Sequence, residues 1–199
     1  MKVPTRGLPV LVGGAAIALI AASASVLATP AGAQTPTVAH ACIQQVAKGS
    51  HTCFALKRTD IKEGRTLAPD VTPSGYGPAD VQSAYKLPSS TTTATVAIVD
   101  AYDDPSAESD LATYRSQYGL PACTTANGCF RKVNQNGQAS PLPQGNTGWA
   151  GEISLDLDAV SATCPTCHIL LVEANDPSNN LYTAVDTART LSAKFISMS

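Results

Sequence analysis

The sequence predicts an α/β domain built on a parallel, doubly wound sheet. Three observations predict it. Short β-rich apolar runs alternate with longer stretches of helical spacing. The apolar runs are continuous rather than alternating, as in strands buried on both faces. Glycine, proline and asparagine separate the two kinds of segment.

The elements follow in order. Residues 78–85 open a short helix with Pro78 and Asp80 in its first turn. Residues 95–102 (TVAIVDAY) read as a buried strand. The helix 107–118 carries Leu111, Tyr114 and Tyr118 on one stripe and ends at Gly119. A weak strand follows at 130–133. The helix 149–163 spaces Ile153, Leu157 and Val160 at four and three. Residues 168–174 (HILLVEA) are a second buried strand, 179–193 a helix with Asn179 or Asn180 as its cap, and 194–198 a last strand. A strand–helix alternation of this kind makes successive strands parallel, with helices on both faces. Sites in such sheets lie at the carboxyl ends of the strands. The final strand, with Phe195, Ile196 and Met198, leaves one sheet edge open. The expectation is a domain truncated after its fourth strand.

The 199-residue chain is 44% hydrophobic, 14% charged and 5% aromatic, a globular profile with a core of Ala, Val, Leu and Ile. Its net charge of −2 and lack of any Lys/Arg run argue against nucleic-acid binding. Residues 1–33 read as a secretory signal peptide: Lys2 and Arg6, then an apolar stretch, then Ala31-Gly32-Ala33 before Gln34. Removing Lys2 and Arg6 leaves 11 basic against 15 acidic residues. No later apolar run is long enough to span a bilayer. The expected product is a secreted, extracellular, monomeric protein with no membrane association after cleavage. Residues 34–74 read as a short pro-region remnant and linker, and 75–199 as the main domain.

Six cysteines fall into local pairs, Cys42/Cys53, Cys123/Cys129 and Cys164/Cys167. Closing short loops costs least entropy, which favours these three bridges among the 15 connectivities that six cysteines allow. The C-x-x-C spacing at Cys164 follows a helix rather than opening one, so it reads as structural and not redox-active. No cysteine or histidine spacing fits zinc. Asp103, Asp104, Glu108 and Asp110 lack a calcium-loop pattern and read as a solvated turn with an Asp-capped helix start. No metal site is expected in this chain.

The chemistry concentrates on the third long helix. Glu152 and Asp156 are four residues apart, so they differ by about 40° in azimuth and about 6 Å in rise. Their carboxylates face one way and repel, and the helix holds no basic residue to pair with them. Burying such a pair splits the two proton affinities, which suits a general base with a carboxylate partner. A bland reading competes: an acidic first turn complementing the helix dipole.

The stretch Gly148-Trp149-Ala150-Gly151-Glu152-Ile153-Ser154-Leu155-Asp156-Leu157-Asp158 resembles the Glu/Asp helix of the sedolisins, the serine-carboxyl peptidases. Residues 76–88 (YGPADVQSAYKLP) are similar to the start of that catalytic domain, 95–102 to its first core strand, and 164–174 (CPTCHILLVEA) to the strand after its catalytic helix. The resemblance covers 75–199 in order and implies a subtilisin-like fold. It further implies an acid-acting endopeptidase that cleaves protein or peptide, with Glu152 as the base for a serine and Asp156 as the partner that orients Glu152 by a short carboxyl–carboxylate hydrogen bond. The family's Gly-Thr-Ser nucleophile motif does not occur in this sequence. Ser192, Ser197 and Ser199 do not match its context. The family's oxyanion aspartate and calcium site would lie beyond the last strand, so no cofactor is expected here and the chain by itself is expected to be inactive. Trp149 is read as a packing residue that could also line a substrate subsite. Two other readings stay open. A non-catalytic secreted paralogue, or peptide-binding remnant, would account for the absent serine. A subtilisin-type triad would use Asp100, but none of His40, His51 and His168 opens the next major helix.

Overall fold

The computed structural model describes residues 37–60, 73, 75–88 and 93–199. The signal-peptide segment and most of the linker lie outside the described residues.

A small antiparallel hairpin comes first, β1 (Val38–His40) paired with β2 (Leu56–Arg58). The main unit then runs α1 (Pro78–Ala84), β3 (Thr95–Ala101), α2 (Ala107–Gln117), β4 (Phe130–Asn134), α3 (Thr147–Thr163), β5 (His168–Ala174), α4 (Asn180–Thr190) and β6 (Phe195–Met198). Its four strands form one parallel sheet in the order β4-β5-β3-β6. The predicted α/β architecture is therefore the observed one.

Strand alternation divides the core into two layers. Ile98, Ile169 and Leu171 face α2 and α3 and pack on Leu111, Ile153 and Leu157. Ala97, Val99, Leu170 and Val172 face the other way and meet Leu181, Ala184 and Ala188 of α4. The small side chains at Ala97, Ala101, Ala184 and Ala188 let α4 sit close to the sheet. α1 lies against α3, where the Gln82 side chain donates to the Ala162 carbonyl at 2.8 Å.

The described helices differ from the sequence reading at their ends. α3 starts at Thr147, because Asn146 caps it by accepting from the Gly148 and Trp149 amides. α4 has Asn179 at its cap position, but that side chain makes no capping bond, and the helix stops at Thr190. Ser192 has φ of 66°, a left-handed geometry that ends the helix before Ala193.

All three local disulfides are formed, Cys42–Cys53, Cys123–Cys129 and Cys164–Cys167. Cys164 is the C-cap of α3, so that bridge staples a helix end to the start of β5. No helix among the described residues is long and apolar enough to cross a membrane.

Arg115 ties the α2–α3 face together from inside. It is 1% exposed. Its guanidinium donates to the carbonyls of Pro121 and Pro165 and to the Ser161 hydroxyl. One side chain thereby joins α2, α3 and the Cys164–Cys167 turn.

Candidate active site

α3 is aimed by the loop that precedes it. Asp103, just past β3, bridges to Gly145, and the Asn146 amide donates to the Asp103 carbonyl at 3.3 Å. The N-terminus of α3 is thus fixed to the carboxyl end of β3, where a parallel sheet presents its site.

Because the helix begins at Thr147, its first turn holds no acidic residue. Glu152 sits in the second turn. The dipole-complementing reading therefore fails on position: the effect fades within the first turn.

Glu152 is 5% exposed and Asp156 9%. Both turn inward, and each takes its hydrogen bond from a different partner. Glu152 Oε2 accepts from the Ala55 backbone N–H at 2.7 Å. Asp156 Oδ2 accepts from the Ser199 hydroxyl at 2.7 Å. Burial pushes the Asp156 carboxyl above its ordinary range, the Ser199 bond opposes that, and the Glu152 charge adds to it.

Sequence reasoning placed two acids here; the fold brings more. Asp100 on β3 is fully buried, and neither of its carboxyl oxygens has a hydrogen-bond partner. Burial holds its proton affinity well up, reinforced by the charges of Asp156, Glu152 and Glu173 in that order. Glu173 on β5 is equally buried and is pushed up to about 8, chiefly by desolvation, with Lys132 pulling the other way. The signal for both was present: an acid inside an apolar strand run is unusual and calls for an explanation. No histidine bonds to Asp100, so the subtilisin-type reading has no imidazole partner among the described residues.

The acids after β3 are not the solvated turn that the sequence suggested. Asp103 and Asp104 are buried. Lys132 Nζ lies 2.5 Å from Asp103 Oδ1 and donates to the Asp104 carbonyl at 2.8 Å. The Asp104 amide donates to Glu173 Oε1 at 3.1 Å, and its carboxylate accepts from the Ser106 amide at 2.9 Å. Lys132 on β4 supplies the counter-charge, and only tertiary pairing brings it there. Among the described residues, no group of three His, Cys, Asp or Glu side chains is placed to hold a metal ion.

Trp149 is buried in the core beside Tyr102, with ring centroids 6.5 Å apart. One edge lines a recess of about 300 Å³ shared with Ala41, Val46, His51, Tyr102 and Asn146. It is thus a packing residue at the wall of a recess that opens at the N-terminal end of α3. Asp158 lies on another side of α3, toward α2. Its carboxyl is pushed up to about 7 by burial and by Asp110.

Comparison with known proteins adds the following. No family model matches the chain, and no curated protein does. A solved structure that it is similar to is Pseudomonas sedolisin (serine-carboxyl proteinase) complexed with two molecules of pseudo-iodotyrostatin. The identity is 23%, the TM-score 0.49, and the match covers 61% of this chain and 34% of that one. The chain spans about a third of the length of that proteinase.

Proposed function

We propose that this chain carries the general-base half of a serine-carboxyl peptidase site, acting on protein or peptide in acidic surroundings outside the cell. The observation that carries the reading is the inward-facing pair Glu152 and Asp156 on α3, both buried, with the acid Asp100 close enough to feel both charges. A helix has no structural reason to bury two like charges one turn apart. The ordered sequence resemblance over 75–199 supplies the chemical class.

In this reading Glu152 takes the proton of a serine hydroxyl as that oxygen attacks the scissile carbonyl. It later returns the proton to the leaving amine. Asp156 holds a neighbouring carboxyl position and tunes the pair. A carboxylate base works at a pH where an imidazole would already be protonated. The sequence holds no Gly-Thr-Ser motif. The nucleophile is therefore assigned to a further polypeptide segment, and the chain as given is expected not to cleave.

The experiment is to join this chain to a sedolisin-like C-terminal half carrying Gly-Thr-Ser and to assay a peptide substrate at acidic pH. Cleavage lost in Glu152→Gln supports the assignment. Cleavage that survives Glu152→Gln sinks it. A second reading, a non-catalytic peptide binder, is favoured by the absent Gly-Thr-Ser motif. It predicts peptide binding to the chain alone, unaffected by Glu152→Gln.

A further inference from the structure

We infer that the Ala55 backbone N–H positions Glu152, and that the Cys42–Cys53 hairpin is a resident part of the carboxyl site. The inference deepens the peptidase reading and rests on it. It departs from the reading of 34–74 as a pro-region remnant.

The donor is fixed on every side. Ala55 immediately precedes β2, which pairs with β1, and the Ala41 amide donates to the Ala55 carbonyl at 2.8 Å. The Cys42–Cys53 bridge closes the loop, and the Gln44 side chain donates to the carbonyls of both cysteines at 3.0 and 3.4 Å. At its far end the loop is anchored by the His51 amide, which donates to the Pro177 carbonyl at 2.7 Å. Cys42, Cys53 and Ala55 belong to the same buried cluster as Trp149 and Val99.

α3 is shaped to receive this hairpin. A Cβ on Gly148 would stand 2.7 Å from the Ala41 carbonyl oxygen, so only glycine permits the approach. Removing the hairpin would bare Trp149 and strip Glu152 of its hydrogen-bond donor.

The chemistry explains the need. A glutamate side chain has three rotatable bonds, and the Asp156 carboxylate one turn away repels its charge. A backbone N–H held by a disulfide and a strand pair cannot swing away. It engages Oε2 with a charge-assisted bond and leaves Oε1 to receive a proton. Ala55 is a positioning residue that acts through Glu152, and its side chain is incidental.

The test uses the full chain and needs no catalysis. NMR of the oxidised protein should show a through-hydrogen-bond coupling between the Ala55 amide nitrogen and the Glu152 carboxyl carbon. Ala55→Gly keeps the N–H and should keep the coupling. Ala55→Pro removes it, and the Glu152 side-chain couplings should collapse to rotamer-averaged values. A Glu152 held in one rotamer in Ala55→Pro would overturn the inference, as would absence of the coupling in the parent protein. Should Ala55→Pro fail to fold, Glu152→Gln serves instead. Replacing a charged acceptor by a neutral one should speed Ala55 amide exchange about tenfold, and unchanged exchange would count against the inference. Cutting the chain at a protease site inserted between Asp60 and Pro73 tests residence. The hairpin should co-elute with the remainder at neutral and acidic pH; separate elution from a folded remainder refutes it. All these outcomes are independent of whether the completed enzyme cleaves peptide, so the two readings fail separately.

Discussion

Asp100 on β3 and Glu173 on β5 occupy paired register positions, so two fully buried carboxyl groups sit side by side on the sheet face that α3 covers. Residues in register on adjacent parallel strands point to the same face. The site is therefore a floor of two strand acids beneath a helix that carries two more. Lys132 on β4 stands 3.7 Å from Glu173 and supplies a cation at the edge of this floor.

Glu173 makes stability depend on pH in a stated direction. Its carboxyl is pushed from its ordinary value of 4.5 up to about 8 by burial. The folded state therefore holds a proton that the unfolded chain releases near its ordinary pKa. The stabilising contribution is complete below about pH 4.5 and is lost as pH rises through about 8, at up to about 1.4 kcal/mol per pH unit. Asp100 is raised in the same sense and adds to the slope. Urea unfolding at pH 5 and pH 8 should show the protein weaker at pH 8, and Glu173→Gln should flatten that difference. An unchanged slope in the variant would remove Glu173 as the cause.

Arg115→Met should lower stability by about 3 to 5 kcal/mol. The guanidinium satisfies the carbonyls of Pro121 and Pro165 and the hydroxyl of Ser161, all at once. Methionine fills much of the volume but leaves those acceptors buried and unpaired. Arg115→Lys should recover only part, because an ammonium lacks the planar fork that reaches three directions. The urea midpoint measures both.

Gly148→Ala separates helix propensity from fit. Inside an exposed helix the change stabilises by about 1 kcal/mol. Here the new methyl would stand 2.7 Å from the Ala41 carbonyl oxygen, a backbone atom with nowhere to go. The expected sign is therefore reversed, a loss of about 1 to 3 kcal/mol. Thermal unfolding decides it, and a stabilised variant would show that the hairpin does not press on α3.

In a completed enzyme the acids of α3 should divide by face. Glu152→Gln and Asp156→Asn should each cost about three or more powers of ten in kcat. Since the two act as a unit, the double variant should be little worse than the poorer single one. Asp158→Asn should leave activity near that of the parent, because Asp158 turns toward α2. Its carboxyl is raised from 3.8 to about 7, so its cost to the fold appears as pH rises through 7. Asp158→Asn should accordingly stabilise the protein above that pH. Activity at acidic pH and urea midpoints at pH 8 check both halves.

The sequence alone determined what depends on local chemistry. Continuous apolar runs at 95–102 and 168–174 and stripes at four-and-three spacing set the strand and helix order, and with it the parallel sheet. Close spacing along the chain made the three disulfides legible, since loop entropy is local. Spacing also placed Glu152 and Asp156 on one helix face. The start of α3 was missed by two residues because its cap, Asn146, sits in an irregular loop without periodicity. Tertiary structure alone decided who meets whom. Strand order set Asp100 beside Glu173 and brought Lys132 to Asp103, residues far apart in the chain with no shared period. The Ala55 N–H on Glu152 spans 97 residues and involves a backbone atom, which no side-chain pattern encodes. Burial did the rest: proton affinities in this cluster are set by desolvation, a property of the packed layers that a single line of residues does not possess.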